Sequence, residues 1–223
     1  MASTVTRYRI DSVERLREII PAPDPNALSI LKEKEELDEH CRAVIAAAPF
    51  MLLATAGADG RCDVSPRGDA AGFVHVLDDR TIVIPDRPGN QRLDSLQNII
   101  ENPYAATIFM VPNMDETLRA NGHAWITDDP ELLATMKVGS KTPLLGIVIE
   151  TEEVYFQCAR AFKRSKLWLP DTWSERSALP SFAQILFDQI RPDGQTVESL
   201  EQRNAEGNRR LYTWRGEPDE PAG

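Results

Sequence analysis

Two stretches of this 223-residue sequence carry residue types suited to gripping an anion. In "RCDVSPRG", residues 61–68, the two-residue period of a strand places Arg61, Asp63, Ser65 and Arg67 on one face. Cys62, Val64 and Pro66 fall on the other. A hydroxyl two residues from a guanidinium fork matches phosphate oxygens well, although a solvated strand face would show the same alternation. Pro66 implies an edge strand or a bulge, because proline cannot donate to a neighbouring ladder.

The second stretch, "IPDRPGNQRLDSLQNII", residues 84–100, starts as a buried strand and breaks at Pro85 and again at Pro88-Gly89. It then restarts as an amphipathic helix with Leu93, Leu96, Ile99 and Ile100 on one face. Asn90 is the expected N-cap, which would leave free backbone N–H groups and the positive end of the helix dipole at residues 90–92. Arg92 would then sit in the first helical turn, where a cation is unfavourable unless an anion lies between it and the dipole. Gly89 lets the backbone approach a ligand closely. A third basic run, "FQCARAFKRSKLW" at 156–168, holds Arg160, Lys163, Arg164 and Lys166, with Trp168 four residues past Arg164 and so able to stack on it in a helix.

These cations stand out because the chain is acidic, with a formal net charge of -10. General nucleic-acid or anionic-membrane binding needs a basic surface and is not expected. Any anion must be held locally. The three cysteines, Cys41, Cys62 and Cys158, form no CxxC or Cys/His cluster, so neither a disulfide framework nor a zinc site is implied and no metal is expected. His40, His75 and His123 lie in different elements, and no hydrolytic triad, P-loop or dinucleotide fingerprint is present. The first twenty residues have no apolar core of a secretory signal. No apolar run approaches the roughly 20 residues of a spanning helix. A cytoplasmic location is therefore expected.

The surrounding pattern says what positions these groups. "DSVERLREII" reads as a short helix capped by Asp11 or Ser12, "PAPDPNALSI" as an extended arm, and "LKEKEELDEHCRAVIAAAP" as a second helix ending at Pro49. Arms and charged helices of this sort either pack on a partner subunit or stand solvated. "FMLLATA", "RCDVSPRG", "GFVHVL" and "TIVIP" are short strands joined by tight turns, hence antiparallel neighbours. "YAATIFMV" and "TLRANGHAWIT" add two more strands, "DPELLATM" a helix capped by Asp128 or Asp129, and "PLLGIVIE" with "EVYFQC" a closing hairpin. The tail holds an amphipathic segment, "SFAQILFDQI", and a charged helix over 196–214. The regular strand–helix rhythm of a doubly wound sheet is absent. The fold class expected is mainly β with helical extensions, a small antiparallel barrel. Its parts are an N-terminal helical arm (1–48), the barrel (49–172) and a C-terminal helical extension (173–223).

The ordered series L-A-T, D-G and S-P-R-G, then I-P-D with G-N-x-R, then N-G-x-A, resembles the pyridoxamine 5'-phosphate oxidase-like superfamily of FMN-binding split barrels. It is most similar to the branch of FMN-dependent enzymes of unassigned substrate, and the likeness covers roughly residues 25–172. The resemblance implies a six-stranded antiparallel split barrel, a homodimer, and one FMN in each cleft between subunits. It implies phosphate contacts from Ser65 and Arg67 and from Asn90, Gln91 and Arg92, with Pro85 and Asp86 along the ribityl chain or ring edge. The second subunit would supply Gln157, Lys163, Arg164 and Trp168. Well-studied oxidases of this group carry an arginine-lysine pair where this chain has Gln91-Arg92. The C-terminal arginine and histidine that grip pyridoxal phosphate are also missing, so vitamin B6 oxidation is not implied. The expected activity is an FMN-dependent oxidoreductase passing electrons to or from a small molecule. The alternative is a non-catalytic carrier of flavin, haem or deazaflavin on the same barrel.

Overall fold

The computed structural model describes residues 8–213. Contacts divide the chain into two compact units, Met1–Glu33 and Lys34–Gly223. The first holds α1 (Val13–Ile19) and the one-turn α2 (Leu28–Leu31), neither of which buries a residue. Ser12 is the α1 N-cap, its hydroxyl accepting from the Arg15 amide at 3.2 Å.

The second unit opens with α3 (Glu39–Ala47), shorter than the helix expected from residue 31 onward. Its start is set by Asp38, whose carboxylate accepts from the Cys41 amide at 3.0 Å. Upstream, the Lys34 backbone bonds in both directions to Val154, so residues 34–37 are drawn out of helical geometry. Cys41 and Ile45 of α3 are buried in the main core cluster.

Seven strands follow: β1 (Phe50–Ala56), β2 (Cys62–Gly68), β3 (His75–Val76), β4 (Thr81–Pro85), β5 (Tyr104–Met110), β6 (Thr117–Thr127) and β7 (Gly146–Gln157). Between them stand α4 (Asp94–Glu101) and α5 (Pro130–Ala134), the latter capped by Asp129 with Pro130 in its first turn. All named strands pair antiparallel in one sheet, in the order β2-β1-β5-β6-β7-β4-β3. In that order β1 and β4 are four places apart, about 19 Å on a flat sheet. Yet Met51 and Leu53 of β1 share one buried cluster with Ile82 and Ile84 of β4, Phe109 of β5, Leu118 of β6 and Ile147 of β7. The sheet must curl around these side chains, which makes it the mainly β, antiparallel split barrel expected. It has six principal strands and the two-residue β3 as a seventh.

The closing hairpin expected at 143–158 is instead the single strand β7, paired along almost the whole of β6. Its centre, "ETEE", contains no glycine, proline or asparagine to turn on. The irregularity falls on the partner strand, where the register shifts between Asn121 and Gly122. A β-carbon at Gly122 would stand 1.9 Å from the Glu150 carbonyl oxygen, so only glycine fits there. After β7 come α6 (Arg160–Ser165), α7 (Phe182–Ile190) and α8 (Val197–Arg209). Trp214, the end of the expected last helix, lies outside the described residues.

Candidate functional site

The strand β2 lies at the sheet edge, paired only with β1 among the described residues, as Pro66 within it requires. Its residues alternate between exposed and half-buried, and Asp63, Ser65 and Arg67 form the half-buried face. That face looks onto the loop between β4 and α4. Together they enclose a polar cavity of about 300 Å³, lined among others by Ser65, Arg67, Asp86, Asn90, Gln91 and Arg92. Six residues expected from two separate stretches are thus brought to one place. Pro85 is buried at the end of β4, beside the cavity rather than in its wall.

The loop differs from the expected helix start. Gln91 and Leu93 have left-handed backbones (φ 61° and 60°), and the helix begins only at Asp94. Asn90 is therefore not the N-cap. Its side-chain oxygen accepts from the Arg92 amide at 3.0 Å, closing a local turn. Arg92 is outside the first helical turn and is paired, its Nε lying 2.7 Å from Asp94 Oδ2. The mismatch inferred for Arg92 thus has a local answer in the acid two residues on. The helix start keeps open donors: Leu93 gives no side-chain cap, and the amides of Asp94, Ser95 and Leu96 make no hydrogen bond among the described residues.

Arg67 is the distinctive group. It donates to Ser65 Oγ and to the Pro66 carbonyl, while its Nε is buried with no partner. Burial lowers its pKa even though Asp86 and Asp63 pull the other way. Across the cavity, Asp86 is 9% exposed, and burial raises its carboxyl pKa against the pull of Arg67. Both shifts disfavour the charged form, so desolvation outweighs the mutual attraction of the two groups. For the Arg67 guanidinium, burial outweighs the pull of both Asp86 and Asp63.

Three acids outside the expected set line the same space or brace it. Asp63 accepts from Ser95 Oγ at 3.1 Å, tying β2 to the first turn of α4. Asp94 holds Arg92. Asp69, just past β2, pairs with Arg87 at 2.6 Å. Asp63 is visible in the alternation of "RCDVSPRG"; Asp69 has no local signal.

The remaining expected contacts lie elsewhere on the barrel. Gln157 ends β7 and pairs with Thr117. Lys163 and Arg164 occupy the last turn of α6. That helix ends at Lys166 in a left-handed turn, so Trp168 is not on its face. Trp168 stacks on Phe162 at 5.7 Å rather than on Arg164, and its indole donates to the Met114 carbonyl at 2.9 Å. β7 neighbours β4, but it does so at Gly146, opposite Pro85 beside the cavity, and Gln157 is the other end of β7, roughly 36 Å along the strand. Among the described residues, no group of acids, histidines and cysteines is placed to hold a metal ion. None of their helices is long and apolar enough to cross a membrane.

An antiparallel split barrel with a polar cavity, lined by arginine, hydroxyl and carboxylate groups between an edge strand and a helix start, defines a class of protein. A family model described as pyridoxamine 5'-phosphate oxidase matches residues 37–158, more than half of the chain, and the chain belongs to that family. None of the curated proteins matches the chain. Among solved structures it is similar to an FMN-binding protein from Syntrophomonas wolfei (14% identity, 65% of this chain and 96% of that one, TM-score 0.44). It is also similar to HupZ of Group A Streptococcus (18% identity, 53% and 92%, TM-score 0.44). A third is General Stress Protein 26 of Bacillus anthracis (14% identity, 51% and 88%, TM-score 0.40).

Proposed function

We propose that the protein is an FMN-dependent oxidoreductase whose cavity at β2 and the start of α4 receives the flavin phosphate. The observation that carries this reading is the buried, unpartnered Nε of Arg67 beside the Ser65 hydroxyl and the open amides of Asp94–Leu96. These are the donors a phosphate needs, gathered from both sides of one space. Membership of the pyridoxamine 5'-phosphate oxidase family supports it.

Size agrees with a division of labour. A cavity of about 300 Å³ is at the low end of the ~300–1,000 Å³ typical of small-molecule sites, enough for a phosphate and polyol tail. Next to it, sharing Leu93 and Leu96, runs an apolar groove of about 590 Å³ walled by Ile99, Ile100, Trp125 and Leu145, a surface that suits an aromatic ring. Gln157 is at the end of β7 away from its pairing with β4, and Lys163, Arg164 and Trp168 follow it in the chain. That distance from the cavity fits a contribution from a second subunit, so the functional unit proposed is a homodimer.

Bound flavin mononucleotide would itself supply the redox chemistry, exchanging hydride or electrons with a small-molecule partner. The chain's tasks are then binding and tuning. Arg67 and the α4 amides neutralise the phosphate. The Ser65 hydroxyl, whose oxygen accepts from Arg67, would donate its hydrogen to a phosphate oxygen. Asp63, held by Ser95, keeps β2 and α4 at a fixed spacing. Asp86, buried in the cavity wall, would accept hydrogen bonds from hydroxyls of the polyol tail.

Titrating the purified protein with FMN while following flavin fluorescence tests the binding step, and adding NADPH anaerobically tests the redox step. Stoichiometric binding with bleaching and reoxidation in air supports the reading. Tight binding without bleaching by any nicotinamide or oxygen-linked donor would reassign the protein as a flavin carrier. Binding of haem or a deazaflavin in preference to FMN would overturn it.

A further inference from the structure

The phosphate cavity is braced from outside by a buried polar network that reaches the C-terminal extension. Arg87 Nε lies 2.6 Å from Asp69 Oδ2, with side chains only 17% and 2% exposed. Arg87 Nη1 donates to the Met136 carbonyl at 2.9 Å, just past α5. The other oxygen of Asp69 accepts from the Tyr212 hydroxyl at 2.6 Å and from the Ala70 amide at 2.7 Å. The Tyr212 ring also lies under the guanidinium, 5.8 Å from Arg87 Cζ. One carboxylate and one guanidinium thus join the segments after β2, β4, α5 and α8.

The placement relative to the cavity gives the network its meaning. Asp69 is two residues beyond Arg67 on the β2 side, and Arg87 is the residue after Asp86 on the loop side. The ion pair therefore fixes the separation of the two walls that carry Arg67 and Asp86. Tyr212 is the one member contributed by the C-terminal extension, 143 residues from Asp69. Burial alone would raise the Asp69 pKa, yet the bonds from Tyr212, Ala70 and Arg87 hold it below its ordinary value. The carboxylate is thus kept charged by its partners rather than by water.

We infer that Tyr212 is a positioning residue for the phosphate site: its hydroxyl orders the Asp69–Arg87 pair, which holds Arg67 in register with the α4 amides. This inference rests on the flavin-phosphate reading of the cavity. It makes the C-terminal extension part of the binding device, and loss of the Tyr212 hydroxyl opens the site without removing any group that touches the ligand.

The test is a double-mutant cycle in the full chain with FMN as the probe, measuring dissociation constants, the visible circular dichroism of bound flavin, and Tm. Tyr212→Phe keeps the ring and removes one hydroxyl. It should weaken FMN binding roughly threefold to tenfold, the range for one hydrogen bond, and alter the flavin dichroism. In an Arg67→Ala background the same change should have no further effect, because Tyr212 acts through Arg67. Arg87→Lys, which keeps the charge but cannot span Asp69 and Met136 together, should reproduce the Tyr212→Phe behaviour and guards against misfolding of either variant. Equal FMN affinity in wild type and Tyr212→Phe overturns the inference and leaves the site intact. So does an equal loss in both backgrounds, which would mark a general structural role. Wild-type protein that binds no FMN at all defeats the site reading, and the inference falls with it.

Discussion

Replacing Arg67 with alanine separates a phosphate site from a structural strand edge. The side chain's Nε has no partner and its remaining bonds go to Ser65 and a local carbonyl, so it does little to hold the fold. Burial already outweighs the attraction of Asp86 and Asp63 for its charge. The unliganded variant should therefore melt within about 4 °C of wild type, the shift a 1 kcal/mol change produces at this size. With FMN the balance reverses. Charge-assisted hydrogen bonds to a dianion contribute roughly 1.5–3 kcal/mol, so the dissociation constant should rise about 10- to 150-fold. Arg67→Lys should fall between, because an ammonium restores charge but not the fork. Isothermal titration with FMN and with riboflavin completes the assay. Riboflavin lacks the phosphate, so its weaker binding should be nearly insensitive to the substitution. A dissociation constant for FMN within twofold of wild type in Arg67→Ala would refute the phosphate assignment. Arg92→Ala should cost less than Arg67→Ala, since Arg92 must leave Asp94 before it can reach a ligand.

Other outcomes follow from the packing. Cys41 is buried and its thiol is pushed up to about 11 by burial and then by the neighbouring Asp38, whereas Cys62 and Cys158 are exposed. Iodoacetamide at pH 8 should therefore modify Cys62 and Cys158 in the native protein and Cys41 only after unfolding, as read by peptide mass spectrometry. Asp38→Ala should lower stability by about 1 kcal/mol through loss of the α3 cap, measured by urea denaturation. Lys34, by hydrogen bonding, and the Cys41 amide lower the Asp38 pKa. The wild-type advantage over Asp38→Ala is thus complete above the usual carboxylate pKa near 4 and should shrink as pH falls below it. Gly122→Ala should cost at least the ~3 kcal/mol of severe overpacking, because its methyl group meets the Glu150 carbonyl, and a thermal melt close to wild type would contradict the bulge.

The alternation in "RCDVSPRG" makes the cavity-facing side of β2 legible in the amino-acid order itself, because side-chain direction in a strand follows from backbone geometry alone. Pro66 marks the edge for the same local reason. The strand set and the barrel class are readable from apolar runs and turn residues, and the ordered motifs carry the family. The start of α4 is not readable. Left-handed turns at Gln91 and Leu93 depend on how the loop is anchored at each end, and neither residue type announces them. Nor can the charge pattern show that Arg92 has Asp94 for a partner while Arg67 is buried without a full set. That distinction depends on desolvation, which exists only once β2 and α4 close over the cavity. Tyr212, Asp69 and Arg87 meet only because the chain returns to the barrel after α8. Short-range sterics wrote the strands into the sequence, but long-range closure decided which arginine is buried with an unpartnered Nε.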